Sequence, residues 1–148
     1  MRSQPSAPPP AGRRVWRNWA GTATATPARW SRPRSEAEIC AAVKDAAAAG
    51  LTVRALGSGH SFTAAAATSG VALDMSGWTG ITAADTASRL VTARSGTTLR
   101  ALNAELSGLG LAMANLGDID AQTIAGAIQT GTQAPEPRSA RWRRSCPG

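Results

Sequence analysis

Arg54-Ala55-Leu56-Gly57-Ser58-Gly59-His60-Ser61-Phe62 is the stretch on which the reading of this chain turns. Residues 51–56 form a short, mostly apolar β-type run. After Leu56 it breaks into a glycine-flanked loop holding the only histidine of the 148 residues. Gly57 and Gly59 let the backbone approach a ligand closely. The hydroxyls of Ser58 and Ser61 and the imidazole of His60 can donate to phosphate oxygens, and the imidazole can also attack an electrophilic cofactor. A lone histidine is more often structural than functional. Set between glycines, serines and Phe62 after a buried strand, this one is assigned to function.

Upstream of the loop, residues 22–34 read as extended and end near Pro33. Ser35-Glu36-Ala37-Glu38 then has the form of a capping box, with Ser35 accepting from the Glu38 amide while the Glu38 carboxylate reaches back. A helix is expected to Ala49, burying a stripe of Ile39, Ala42, Val43, Ala46 and Ala47, with Gly50 as its left-handed stop. The β-α-β order predicts a helix crossing over between parallel strands. Downstream, residues 63–70 carry too little apolar periodicity to assign, and residues 71–75 read as a strand. Gly77-Trp78-Thr79-Gly80 is turn material. Polar residues after Ile81 lead to a strand at 90–94. Ser95-Gly96-Thr97-Thr98 opens a second helix, capped by Thr97 or Thr98, with Leu99, Leu102 and Leu106 inward and Gly108 and Gly110 at its end.

The second informative stretch is residues 115–132, Asn-Leu-Gly-Asp-Ile-Asp-Ala-Gln-Thr-Ile-Ala-Gly-Ala-Ile-Gln-Thr-Gly-Thr. Small and hydroxylated residues crowd around Gly126 and Gly131, a composition suited to a backbone packed against a flat or phosphorylated ligand.

The net charge of +7 would ordinarily suggest nucleic acid or an anionic surface. Its distribution argues otherwise, because the arginines crowd the two ends while residues 36–133 carry more acidic than basic side chains. With 43% hydrophobic residues the chain can build one domain with a core. Residues 1–17 read as a disordered basic leader rich in proline at its start. Around Arg13 to Trp19 arginine alternates loosely with tryptophan, either as a nucleic-acid or lipid patch or, the favoured reading, as a segment laid over the domain with its indoles buried. Arg13-Arg14 lacks the apolar continuation of a twin-arginine signal. Cys40 and Cys146 give no disulfide framework, and a single histidine argues against a zinc site. No apolar run reaches the length of a membrane span. The expected compartment is the cytoplasm, with peripheral membrane association left open.

Several familiar motifs fail on chemistry. The run from Gly57 begins like a dinucleotide fingerprint, but Phe62 stands where the third glycine is required. An ATPase-type phosphate loop needs a Gly-Lys pair, and Lys44, the only lysine, does not supply one. A hydrolase triad built on His60 and Ser61 lacks a Gly-x-Ser-x-Gly elbow.

Four stretches taken together, residues 54–62, 73–81, 96–103 and 115–132, resemble the flavin-binding domain of the aldonolactone and alditol oxidases, within the vanillyl-alcohol-oxidase superfamily of flavoproteins. The likeness to the bacterial D-arabinono-1,4-lactone oxidase type covers residues 18–132. It implies an α+β fold, the N-terminal part of an FAD-binding domain in which a small β-α-β sheet is followed by a strand-helix unit. It implies FAD as cofactor, with Ala55, Leu56, Gly57, Ser58, Gly59, His60 and Ser61 around the pyrophosphate. His60 would be joined covalently to the flavin 8α carbon. Asp118, Thr123, Gly126, Ala127, Ile128 and Gln129 would complete the diphosphate and ribityl contacts. In such oxidases a sugar lactone or alditol passes a hydride from its CH–OH group to the flavin, and oxygen reoxidises it to give hydrogen peroxide. No catalytic residue and no metal ligand is assigned.

The family pattern continues His-Gly-Thr-Gly after Gly131-Thr132, where this chain reads Gln133-Ala134-Pro135-Glu136. Loss of one nucleotide from a His-Gly-Thr-Gly coding run yields Gln-Ala-Pro followed by Glu or Asp, so residues 133–148, rich in proline and arginine, are expected to be out of frame. The domain is accordingly expected to be truncated, without its substrate domain and without turnover of its own. Two other classes stay open: a small basic nucleic-acid-binding protein acting through its Trp/Arg ends, and an interaction fragment that keeps the fold but binds no flavin.

Overall fold

The computed structural model describes residues 14–132. The division into two units falls between Asp74 and Met75. The expected leader up to residue 13 and the tail from residue 133 lie outside the described residues.

In the first unit, β1 (Trp16–Arg17) pairs antiparallel with β2 (Thr24–Ala25). Trp16 and Arg17, the last residues of the stretch read as leader, thus lie in a strand, and Trp16 is buried in a cluster with Leu56 and Ala72. Ala23, Ala25, Trp30, Ala66 and Ala67 pack around that cluster. A three-stranded parallel sheet follows in the order β3 (Arg29–Ser31), β5 (Val71–Asp74), β4 (Val53–Leu56). Its register sets Arg29 and Val53 against Val71, and Leu56 against Asp74. The central strand is buried throughout Val71, Ala72 and Leu73, as a parallel strand flanked on both edges should be.

The crossover between β3 and β4 is α1 (Glu36–Ala48), as the β-α-β order implies. Ser35 accepts from the Glu38 amide at 3.2 Å. The Glu38 carboxylate accepts from the Arg34 amide at 2.7 Å, so the reciprocal bond lands one residue earlier than in the standard box. The buried stripe is also narrower than expected. Ala46 is fully buried and Ile39 and Ala42 half-buried, while Val43 and Ala47 are exposed. Gly50 takes φ +64° and ends the helix.

In the second unit, a 3-10 turn at Met75–Gly77 leads into a hairpin of β6 (Ile81–Asp85) and β7 (Leu90–Ala93). β6 was not expected from the sequence, since only Ile81 of its five residues escapes full exposure and no alternation marks it. Asp85 shapes the turn by accepting from the amides of Ala87 and Ser88 and from the Ser88 hydroxyl at 2.6 Å. α2 (Leu99–Gly108) is capped by Thr98, whose hydroxyl accepts from the Ala101 amide at 3.2 Å, and buries Leu99, Leu102 and Leu106. α3 (Ile124–Thr130) is capped by Thr123 and stopped by Gly131 at φ +61°. The two helices start side by side, joined by an antiparallel bridge between Thr98 and Thr123 and by bonds from Leu99 to the Gln122 carbonyl and from Ile124 to the Thr97 carbonyl, both 2.8 Å. Among the described residues no helix is long and apolar enough to cross a membrane.

Candidate functional site

β4 delivers the chain to Gly57 at the C-terminal edge of a parallel sheet, where open α/β sheets place their ligands. Ala55 is an exposed strand residue, and Leu56 turns its side chain into the core, so these two support the loop from below. Gly57 and Ser58 are exposed. Gly59 sits at φ +71°, a conformation that side-chain-bearing residues rarely adopt. Ser61 exchanges a 2.9 Å hydrogen bond with the Thr63 hydroxyl and accepts from the Thr63 amide, which turns the chain away from the sheet.

The loop is held from the β1–β2 hairpin by two consecutive residues. The Trp19 amide donates to the Gly59 carbonyl at 2.9 Å. The Asn18 side-chain amide donates to the Ser61 carbonyl at 2.8 Å and to the Thr22 hydroxyl at 2.9 Å, while its Oδ1 accepts from the Ala23 amide. Thr22 in turn donates to the Phe62 carbonyl. Asn18 is buried and its bonds to the loop span the 43 residues to Ser61. Sequence reasoning missed this clamp because no local pattern distinguishes an asparagine that bonds across the fold.

Trp19 also lies stacked on His60, with ring centroids 5.4 Å apart and planes 18° from parallel, and meets Phe62 edge-on at 6.1 Å. The expectation that the indoles of this segment are buried holds for Trp16 and fails for Trp19, which is 64% exposed. The neighbouring Arg14 guanidinium covers the Trp30 ring at 4.0 Å, a packing use for one member of the Trp/Arg alternation. His60 is half-buried, and its Nδ1 is a buried nitrogen with no hydrogen-bond partner. Buried polar atoms are normally paired, and among the described residues Arg94 Nε and Gln122 Oε1 in the second unit share this state.

The remaining candidate residues belong to the second unit. Asp118 and Gln129 are exposed. Thr123 is buried and spends its hydroxyl on the Gly126 amide at 3.2 Å. The Ala127 amide is bonded to the Thr123 carbonyl at 2.9 Å and its side chain is buried. Gly126 and Ala127 therefore have no free amides to offer. Ile128 lines an apolar cavity of about 890 Å³ together with Leu90, Leu102, Leu106, Leu111 and Met113. Beside this stretch, Arg100 grips Asp120 through two bonds of 3.0 and 2.8 Å, and the guanidinium holds the Asp120 carboxyl below the usual carboxylate range. Among the described residues no group of three or more His, Cys, Asp or Glu side chains could hold a metal ion.

The family model described as "FAD binding domain" matches residues 27–141, which include the loop, both helices of the second unit and the first residues of the tail. The chain belongs to the FAD binding domain family. It is 44% identical over 118 residues to an L-gulono-1,4-lactone dehydrogenase of Mycobacterium tuberculosis, an alignment covering 80% of this chain and 28% of the relative. It is 36% identical over 127 residues to a D-arabinono-1,4-lactone oxidase of Eremothecium gossypii, covering 83% and 24%. With the L-gulonolactone oxidase of Mus musculus the identity is 31% over 117 residues, covering 79% and 27%. Among solved structures, a cholesterol oxidase of B. sterolicum superposes with a TM-score of 0.71 at 18% identity over 89% of this chain and 27% of that one. A solvent-stable cholesterol oxidase gives 0.73 at 22% identity over 89% and 26%. The two structural likenesses establish the fold. The chain spans about a quarter of the length of these relatives. The resemblance drawn from the four sequence stretches is thus borne out at the level of family, fold and cofactor.

The loop on its own fits FAD. It combines a positive-φ glycine, two serine hydroxyls and a buried, partnerless imidazole nitrogen.

Proposed function

We propose that residues 55–61 form the pyrophosphate loop for FAD and that His60 is the residue to which the flavin is covalently tethered. The observation that carries this reading is the His60 Nδ1, buried without a partner in a loop clamped on both sides of it. Gly57 and Gly59 leave room for the cofactor's phosphates to approach the backbone, and the Ser58 and Ser61 hydroxyls supply donors. When bound, FAD supplies the acceptor for a hydride leaving a CH–OH group. The imidazole keeps the cofactor from dissociating and, as a neutral nucleophile, is the group that makes the bond. In the second unit the same reading assigns Asp118, Thr123, Gly126, Ala127, Ile128 and Gln129 to the cofactor.

The substrate class follows from the relatives, whose names specify gulono- and arabinono-lactones. We infer that the longer protein to which this flavin-binding part corresponds oxidises a sugar lactone or alditol, and that the 148-residue chain does not turn such a substrate over by itself. We place it in the cytoplasm, with no nucleic acid as partner.

The test uses the full chain supplied with FAD. Yellow protein whose absorbance survives acid precipitation, with that absorbance lost in His60→Ala, is the expected result. Colourless, soluble, folded protein at saturating FAD would refute cofactor binding. Colour fully released by acid would refute the tether alone. Hydrogen peroxide produced from an alditol or aldonolactone by this chain would refute its inactivity.

A further inference from the structure

The backbone of His60 is pinned on either side by consecutive residues of another segment. The Trp19 amide bonds the carbonyl before it, Gly59, and the Asn18 side chain bonds the carbonyl after it, Ser61. The imidazole ring is not fixed by any hydrogen bond at Nδ1. The Trp19 indole lies stacked on it at 5.4 Å and 18°. Phe62 meets the same indole in a T-shaped pair at 6.1 Å. An indole that is 64% exposed gains little from burial, so its geometry is better explained by what it does to the ring beneath it.

We infer that Trp19 is a positioning residue for His60, its indole holding the imidazole in the plane from which the bond to the cofactor is made. The inference rests on the reading of His60 as the tether. In that bond a nitrogen of the neutral imidazole joins the flavin 8α carbon. One 8α proton and the nitrogen-bound proton are lost, and the two electrons left on the cofactor pass to dioxygen, which with the two protons becomes hydrogen peroxide. Trp19 takes no part in the electron count. It removes the rotational freedom of the nucleophile, which is the share of such a barrier that positioning supplies.

The full chain, prepared without flavin and then incubated with FAD in air, provides the test in three forms: unaltered, Trp19→Leu and Trp19→Phe. Acid-stable flavin is followed over time. Because the chain has a single histidine, its acylation by diethyl pyrocarbonate reports the freedom of the His60 ring without any cofactor. Trp19→Leu is expected to attach flavin about tenfold more slowly, and Trp19→Phe, which keeps a stacking ring, within about twofold of the unaltered chain. Acylation is expected to speed up in Trp19→Leu as the ring is uncovered. Attachment in Trp19→Leu at the unaltered rate, with none in His60→Ala, overturns the role of Trp19 and leaves the tether standing. Equal loss in both Trp19 variants, with acylation as fast as in free histidine, means that the indole merely supports the fold and also overturns it. Failure of the unaltered chain to gain acid-stable flavin defeats the tether, and the inference with it.

Discussion

Asn18 donates from its side-chain amide to the carbonyl of Ser61 at 2.8 Å, closing the binding loop onto a hairpin that precedes it by about forty residues. The same side chain accepts from Ala23 and donates to Thr22, so both amide hydrogens and one acceptor position of its oxygen are used while it is only 2% exposed. Replacing it with leucine, of similar volume, leaves the Ser61 carbonyl and the Ala23 amide without their partner. The expected loss is about 1–3 kcal/mol of stability, read from denaturant midpoints. Asn18→Asp keeps the acceptor for Ala23 but not the donor for Ser61, and is expected to weaken FAD retention more than its stability cost suggests. Unchanged midpoints in both variants would show that the clamp is decorative.

Two glycines of the second unit should respond in opposite directions to alanine. A Cβ at Gly96 would overlap the Met75 carbonyl oxygen and come within 2.8 Å of the Trp78 carbonyl oxygen, neither of which is a flexible group. Gly96→Ala is therefore expected to destabilise by about 1–3 kcal/mol. Gly108, at the end of α2, has open space where a Cβ would go, and Gly108→Ala is expected to stabilise by about 0.5–1 kcal/mol. Thermal unfolding of the two variants beside the unaltered chain checks both signs.

Two carboxyls of the second unit titrate below the ordinary aspartate range. Asp85 is lowered chiefly by the Ser88 hydroxyl, then by the amides of Ser88 and Ala87, and Asp120 chiefly by its hydrogen bond from Arg100. A carboxyl with a depressed folded-state value contributes stability above the ordinary carboxylate value and loses it as pH falls through the lowered one. Carbon-detected titration should place both midpoints below that of a free aspartate. Arg100→Gln should move the Asp120 midpoint upward and leave Asp85 where it is. Both groups are solvent-exposed, so the effect on global stability should be small.

We propose that the frame changes after Thr132. Resequencing the coding region should reveal a missing nucleotide near the codons for Gln133-Ala134-Pro135-Glu136, with restoration yielding His-Gly-Thr-Gly. An unbroken frame that encodes the tail unchanged would dispose of the idea.

The parts of the fold that were legible in the sequence are those where local chemistry and tertiary placement agree. Ser35, Thr98 and Gly50 each carry a side chain, or lack one, that suits only a helix end, and each is found there. Leu99, Leu102 and Leu106 recur at helical spacing and are all buried. β6 and α3 escaped because their residues are small, exposed or both. Ile-Thr-Ala-Ala-Asp has no alternation to detect, and seven residues of Ile-Ala-Gly-Ala-Ile-Gln-Thr are too few, and too rich in glycine and alanine, for a periodic stripe. At the site, His60 stood out by being unique and by its neighbours. Asn18 and Trp19 did not, since their roles exist only once the hairpin lies beside the loop.

β4 and β5 are joined by residues 57–70. The two strands are parallel neighbours, so the chain must travel from the far end of one back to the near end of the other, a return of about 13 Å for four residues. It does so without a helix, over residues 57–70. A handful of extended residues would cover that distance, so the segment has residues to spare for the loop at its start and for the packing of Ala66, Ala67 and Thr68 at its end. Between the two, the Thr63 hydroxyl bonds the Ser61 hydroxyl and accepts from the Ala65 amide, which closes a small turn. Ala64 and Ala65 are exposed and can change composition, whereas Thr63 is bonded to Ser61 and Ala66 and Ala67 pack on the cluster of Trp16, Leu56 and Ala72. The fold thereby separates a part that must stay fixed from a part free to vary, within a single connection.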